Sequence, residues 1–175
     1  MSSGHGLKAC ILACAAGFLS VASADAQVWS GTEERSQQGL HTATLFVQMH
    51  EFALQMTCNE TAAENGRLDL MFVGPALPRL YGTDGQEETM LLSFGMFDGS
   101  TVTRGWNAYY YDGGLGDQAW LGGLTADDAM LDAFAAAREV ALLNTDKELI
   151  YVFPAKGTAA GAKLLRQTCG VGQAW

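Results

Sequence analysis

Once an N-terminal leader is set aside, the side chains with chemistry to offer are few. They are His41 and His50, Cys58 and Cys169, a scatter of serines and acid pairs, and a cluster of aromatics. A nucleophilic site needs a hydroxyl or thiol beside a base, and no G-x-S-x-G elbow is present to expose one. Ser93 and Ser100 lie in or beside an expected hairpin, not at a strand-to-helix turn. Cys58 sits eight positions after His50, but in an extended chain those side chains stand far apart, and a paired cysteine is no nucleophile. A hydrolase with His50 as its base is therefore the least favoured reading, and no catalytic residue is assigned.

Metal binding fares no better. His41, His50 and Glu51 match no helical or loop ligand spacing, and surface or half-buried histidines are the plainer reading. No metal and no cofactor is expected. Glu33-Glu34, Glu87-Glu88 and Asp127-Asp128 fall in a tail, a turn and a helix start, where solvated runs or caps explain them better than a glycosidase-like carboxylate pair.

The aromatics carry more information. Trp106, Tyr109, Tyr110, Tyr111 and Trp120 crowd into one short stretch. On a strand, Trp106, Ala108 and Tyr110 face one way while Tyr109 and Tyr111 face the other. One set packs a core, which leaves the other to cover a sheet face or to meet a sugar or a protein. Trp106, Tyr109, Tyr111 and Trp120 are the candidate binding surface.

These residues must be positioned by a chain that is expected to be exported. Residues 1–26 have the form of a secretory signal peptide: Lys8, an apolar run from Ala9 to Ala22, then Ala22-Ser-Ala24 and Ala24-Asp-Ala26 as overlapping cleavage sites. Cleavage after Ala26 is preferred to cleavage after Ala24. A lipoprotein site at Cys14 would leave too short an apolar run before it, and the run is also too short to span a bilayer. The leader removes one base, Lys8, and one acid, Asp25, so the net charge stays at −9. That sign disfavours nucleic acid and anionic lipid as partners. Cys10 and Cys14 leave with the leader, and the remaining Cys58 and Cys169 are expected to pair in an oxidising compartment, periplasmic or extracellular.

The expected fold is α+β and predominantly antiparallel β, a sheet or small sandwich with one main helix and a short C-terminal one, in a single domain over 41–175. Residues 27–40 read as a flexible lead-in that docks through Trp29. Alternation over 42–58 changes phase near His50-Glu51, which predicts a bulge or a break between strands. Strands follow over 67–73 and around an Asp98-Gly99 hairpin, with a short one at 119–121. The main helix is expected over 126–143, capped by Thr125, because Met130, Phe134, Ala137 and Ala141 recur at helical spacing. A strand over 149–153 ends at Pro154, and a helix capped by Thr158 runs to Thr168 with Gly170 at C′.

The ending, a strand with Phe153-x-x-x-Gly157, an alanine-rich helix with Leu164-Leu165, then Cys169, resembles small exported proteobacterial domains. It is similar to the invasion-associated locus B family and to a type VI secretion-associated periplasmic accessory family. The second likeness extends to Met56-Thr-Cys58, the strand Arg67-Leu-Asp-Leu-Met-Phe72 and Trp175 after the last cysteine. Pro154 interrupts the strand such domains carry, and Gly170 to Ala174 lengthens the approach to Trp175. The resemblance implies export, a disulfide and an accessory or interaction role, read here as one toward a protein partner in the cell envelope; the aromatic residues Tyr109, Tyr111 and Trp120 supply the alternative, a small-ligand or glycan-binding module.

Overall fold

Alternating apolar residues with turn-formers between them fold into strands that must bury one face each. Here all of them do so against a shared interior. The computed structural model describes residues 28–60, 66–75, 85–112 and 117–170; the leader and Trp175 lie outside these. Nine strands form a single antiparallel sheet, not two packed sheets: β1 (Ser30–Arg35), β2 (His41–Met49), β3 (Phe52–Asn59), β4 (Arg67–Pro75), β5 (Glu87–Gly95), β6 (Thr101–Asp112), β7 (Asp117–Thr125), β8 (Glu139–Leu143) and β9 (Leu149–Pro154). Two helices complete it, α1 (Asp128–Ala136) and α2 (Thr158–Cys169).

The spatial order is β1-β2-β3-β4-β7-β6-β5-β8-β9. The β5-β6-β7 meander returns to lie beside β4, the Greek-key arrangement, so that β7 and β6 occupy the middle of the sheet. The inward parity of each strand supplies the core: Leu45 and Val47, Leu54 and Met56, Leu70 and Phe72, Leu92 and Phe94, Val140 and Leu142 are all buried. The sheet curls until its ends approach. The Tyr151 ring of β9 lies 4.3 Å from the Phe52 ring of β3, and the Trp29 amide donates to the Lys156 carbonyl oxygen at 2.8 Å.

Helix α2 lies close against the first strands because two glycines leave room. A Cβ on Gly161 would sit 2.9 Å from Leu45 Cδ1, and one on Gly31 would sit 2.5 Å from Leu164 Cδ2. Gly170 ends the helix at φ 59°, the left-handed conformation that favours glycine. Cys169 then meets Cys58 at the end of β3, with Cα atoms 6.1 Å apart and the disulfide formed. Both half-cystines are buried.

Several expectations are corrected. The stretch read as a lead-in contributes β1; its polarity reflects an edge strand exposed along its length, while Trp29 does dock, buried beside Phe134 at a ring distance of 5.0 Å. The helix expected over 126–143 divides. Ala137 turns extended at ψ 145°, the Arg138 amide donates to Gly95, and Glu139–Leu143 becomes β8 between β5 and β9. Val140 and Leu142 fit a buried strand as well as a helix stripe, and the free edge of β5 decides between them. The cap is Asp127, not Thr125, whose residue closes β7: Asp127 Oδ1 accepts from the Met130 amide at 2.7 Å. Thr158 does not cap α2 with its side chain; its hydroxyl donates to the Ala155 carbonyl oxygen.

The phase change near His50 is a break between two strands. Met49 pairs with Phe52, which leaves His50-Glu51 as a two-residue turn, with His50 at φ 56°. The Asp98-Gly99 hairpin has a three-residue loop, Phe97-Asp98-Gly99, closed by the Met96 amide on the Ser100 carbonyl oxygen. Gly99 takes φ 84° there, as a three-residue loop with a left-handed last position requires. The strand expected at 119–121 is the full β7, and its Gly122-Gly123 continues the ladder against β4 and β6.

Candidate functional site

Period two divides the aromatic cluster as the sequence suggests, and the register completes the division. Trp106 stands opposite Met90, and Trp120 stands between Phe72 and Tyr110. These positions point inward. Trp106 and Trp120 are each 1 % exposed, so neither belongs to a binding surface; both are core. Tyr110 packs edge-on to Trp120 at 5.2 Å. Tyr109 and Tyr111, on the opposite parity, are 50 % and 54 % exposed.

The outer face also gathers residues that the one-dimensional reading missed. Strand pairing lines up Met71, Leu121, Tyr109 and Glu87 in one row across β4, β7, β6 and β5. The neighbouring row is Asp69, Gly123, Asn107 and Thr89. Leu121 is 37 % exposed beside Tyr109, which makes it part of the same surface. Gly123 leaves a notch in the second row. Over that notch opens a hollow of about 400 Å³, lined by Arg67, Asn107, Tyr109, Gly123, Leu124 and Thr125. No signal in the sequence marks this set, because its members come from three strands and meet only through register.

Hydrogen bonding in the hollow is partly used. Arg67 Nε donates to Asp69 Oδ1 at 3.1 Å, with both side chains more than half exposed. The Thr89 hydroxyl donates to Asn107 Oδ1 at 3.2 Å. The Arg67 terminal nitrogens, Asn107 Nδ2 and the Tyr109 hydroxyl make no hydrogen bond to another described residue.

No protein-family model, no curated protein and no solved structure matches the chain.

The other chemically capable residues are dispersed. His41 and His50 stand at opposite ends of β2. His41 Nδ1 lies 2.8 Å from Glu33 Oε1; His50 Nδ1 lies 3.3 Å from the Tyr151 hydroxyl, on the far side of the sheet's closure. Cys58 is committed to the disulfide. Ser93 is buried and accepts from the Thr103 hydroxyl, while the Ser100 hydroxyl and amide both donate to Asp98. Those two bonds hold the Asp98 carboxyl below the usual carboxylate range. Asp127 is likewise lowered, first by the Met130 amide and then by Arg104. Of the acid pairs, Asp127 and Asp128 serve α1: Asp127 caps it and binds Arg104, and Asp128 lies 3.6 Å from Arg166. Among the described residues no group of three or more His, Cys, Asp or Glu side chains is placed to hold a metal ion. No helix among them is long and apolar enough to cross a membrane.

Proposed function

We propose that this chain is an exported recognition domain of the bacterial cell envelope, one that binds rather than transforms and that serves a protein partner as an accessory. The observation that carries this reading is the exposure of Tyr109, Tyr111 and Leu121 as one contiguous set on the outer face of β7 and β6. Tyrosine and leucine exposed together on a sheet offer rigid, largely apolar contact area of the kind partners use. Export is supported by the leader and by the buried Cys58–Cys169 bond, which persists in an oxidising compartment. A cut after Ala26 would leave Trp29, which anchors the sheet's edge, near the start of the mature chain.

The test is a photo-crosslinking amino acid placed at position 111 in cells, with one at Thr44, on the distant strand β2, as control. A single adduct is expected from position 111 that disappears when Leu121→Asp is added. Identical adducts from both positions would remove the proposal. A second reading, a small-ligand or glycan-binding module, is favoured by a separate observation: the polar hollow over Gly123.

A further inference from the structure

Resting on that second reading, we propose that the hollow over Gly123 is a subsite for one ring of a neutral saccharide. Three features of the hollow point to that ligand class. Gly123 makes the notch. Its row neighbours Asp69 and Asn107 rise on either side, and a Cβ at Gly123 would lie only 3.2 Å from the Arg67 guanidinium. A side chain at this position would displace the Arg67 guanidinium and take up space in the hollow.

The walls carry a dense mixture of donors and acceptors. Arg67 and Asn107 supply N–H donors, and Thr125 and Tyr109 hydroxyls that can do either; Asp69, the row neighbour that binds Arg67, adds an acceptor beside them. A ring bearing several adjacent hydroxyls, each both donor and acceptor, satisfies such a set; a purely accepting anion does not. Charge argues the same way. Asp69 already balances Arg67 at 3.1 Å, Glu87 stands opposite Tyr109 in register, and the chain carries a net −9. An anionic ligand would meet repulsion.

Tyr109 supplies the remaining requirement. Its half-exposed ring borders the hollow, positioned to take the C–H face of a sugar while the hydroxyls turn toward Arg67, Asp69 and Asn107. Tyr111 and Leu121 adjoin Tyr109 on the outer face and could extend the platform to a second ring. The volume falls within the range of small-ligand sites. An open site that buries only part of one ring is expected to bind a monosaccharide weakly, with Kd on the order of 1 mM.

The experiment is chemical-shift mapping on the oxidised, mature protein. It is titrated with the methyl pyranosides of glucose, galactose, mannose and N-acetylglucosamine, and with their β-1,4 or α-1,4 disaccharides. For at least one series, shifts are expected at the Asn107 side-chain amide and the Gly123 backbone amide, with the disaccharide binding more tightly. Gly123→Val should weaken that binding by about tenfold or more while the rest of the spectrum stays native; Asn107→Ala should weaken it as well. Tyr111→Ser should retain the monosaccharide and reduce the gain from the second ring.

The proposal is overturned if none of these sugars shifts Asn107 and Gly123, if Gly123→Val binds as well as the unmodified chain, or if methyl glucuronide, titrated alongside as the anionic counterpart, is the one sugar that binds. Failure here is separable from failure of the protein-partner reading. A crosslink from position 111 that survives Gly123→Val would leave that reading standing with the saccharide subsite gone.

Discussion

Trp29 Nε1 donates to the Pro154 carbonyl oxygen at 2.8 Å, across 125 positions of the chain. The Trp29 amide makes a second bond, to the Lys156 carbonyl oxygen. The residue just before the first strand thus grips the end of the last strand and the segment after it. Both strands are edges of the curled sheet, and these two hydrogen bonds help to tie one edge to the other.

Trp29→Phe should keep most of the packing on Phe134 and lose the Pro154 bond, at a cost of about 1 kcal/mol. Trp29→Ala removes the ring as well and should cost about 3–5 kcal/mol. Urea denaturation of the oxidised protein measures both. A Trp29→Ala midpoint equal to that of the unmodified chain would mean the edges are not held here.

The Cys58–Cys169 bond joins β3 to the last turn of α2 over a separation of 111 residues. On the chain-entropy view a loop of this size stabilises by about 4–5 kcal/mol, and measured removals fall at about 2–5. Replacing both cysteines by alanine should lower Tm by roughly 5–15 °C for a domain of this size. The outer-face residues should keep their spectra at lower temperature, since neither sulfur touches them. Equal Tm values, by calorimetry, would remove the disulfide from the stability of the fold.

Asp127 carries a pH prediction. Its folded pKa lies below the ordinary 3.8 because the Met130 amide, and then Arg104, hold the ionised form. A lowered carboxyl contributes stability that is present above pH 3.8 and is lost as pH falls through the folded value. Asp127→Ala should therefore cost about 1 kcal/mol at pH 7 as a lost cap, and the gap to the unmodified chain should close below about pH 4. Asp127→Asn, which keeps an acceptor for Met130, should show a smaller gap at pH 7 that narrows over the same pH range, because the titrating carboxyl is absent from both variants. Thermal melts from pH 2.5 to 7 give the comparison.

Strand identity was legible wherever apolar alternation met a turn-former, as in β2, β3, β5 and β6, and the half-cystine pair followed from counting. What was not legible depended on partners distant in sequence. Glu139–Leu143 has a helical stripe and a strand alternation at once, and only the open edge of β5 selects the strand. Ser30–Arg35 has no inward apolar parity to announce β1, because its hydrogen bonds to β2 are what hold it. The candidate site was half readable for the same reason. Alternation separates Tyr109 and Tyr111 from Tyr110, yet the inward fate of Trp120 and the meeting of Arg67, Asn107 and Gly123 require the β4-β7-β6 order. That order places β7 between β6, its neighbour in sequence, and β4, from which the whole β5–β6 hairpin separates it.

Tyr151 supplies the opposite pH dependence. Its hydroxyl donates to the Met49 carbonyl oxygen at 3.1 Å, where β9 reaches the end of β2. Burial, and then the charge of Glu51, raise its pKa above the ordinary 10.0. An acid whose folded pKa is raised favours the fold while it stays neutral; the unfolded chain ionises first, so this contribution is full below pH 10 and is lost as pH rises through the folded value. Tyr151→Phe should cost about 1 kcal/mol at neutral pH through the missing hydrogen bond. Other tyrosines and lysines titrate in the same range, so the informative quantity is the difference between the two proteins. That difference should shrink above pH 10 as the unmodified chain declines more steeply. Glu51→Gln should make the decline smaller and end it at a lower pH, because it lowers the folded value while the unfolded value that sets the onset is unchanged, without altering the neutral-pH stability by more than about 0.5 kcal/mol, as for other exposed surface changes. Denaturant titrations at pH 7, 9, 10 and 11 decide it: parallel curves for Tyr151→Phe and the unmodified chain would show that this phenol is not what the alkaline limb reports.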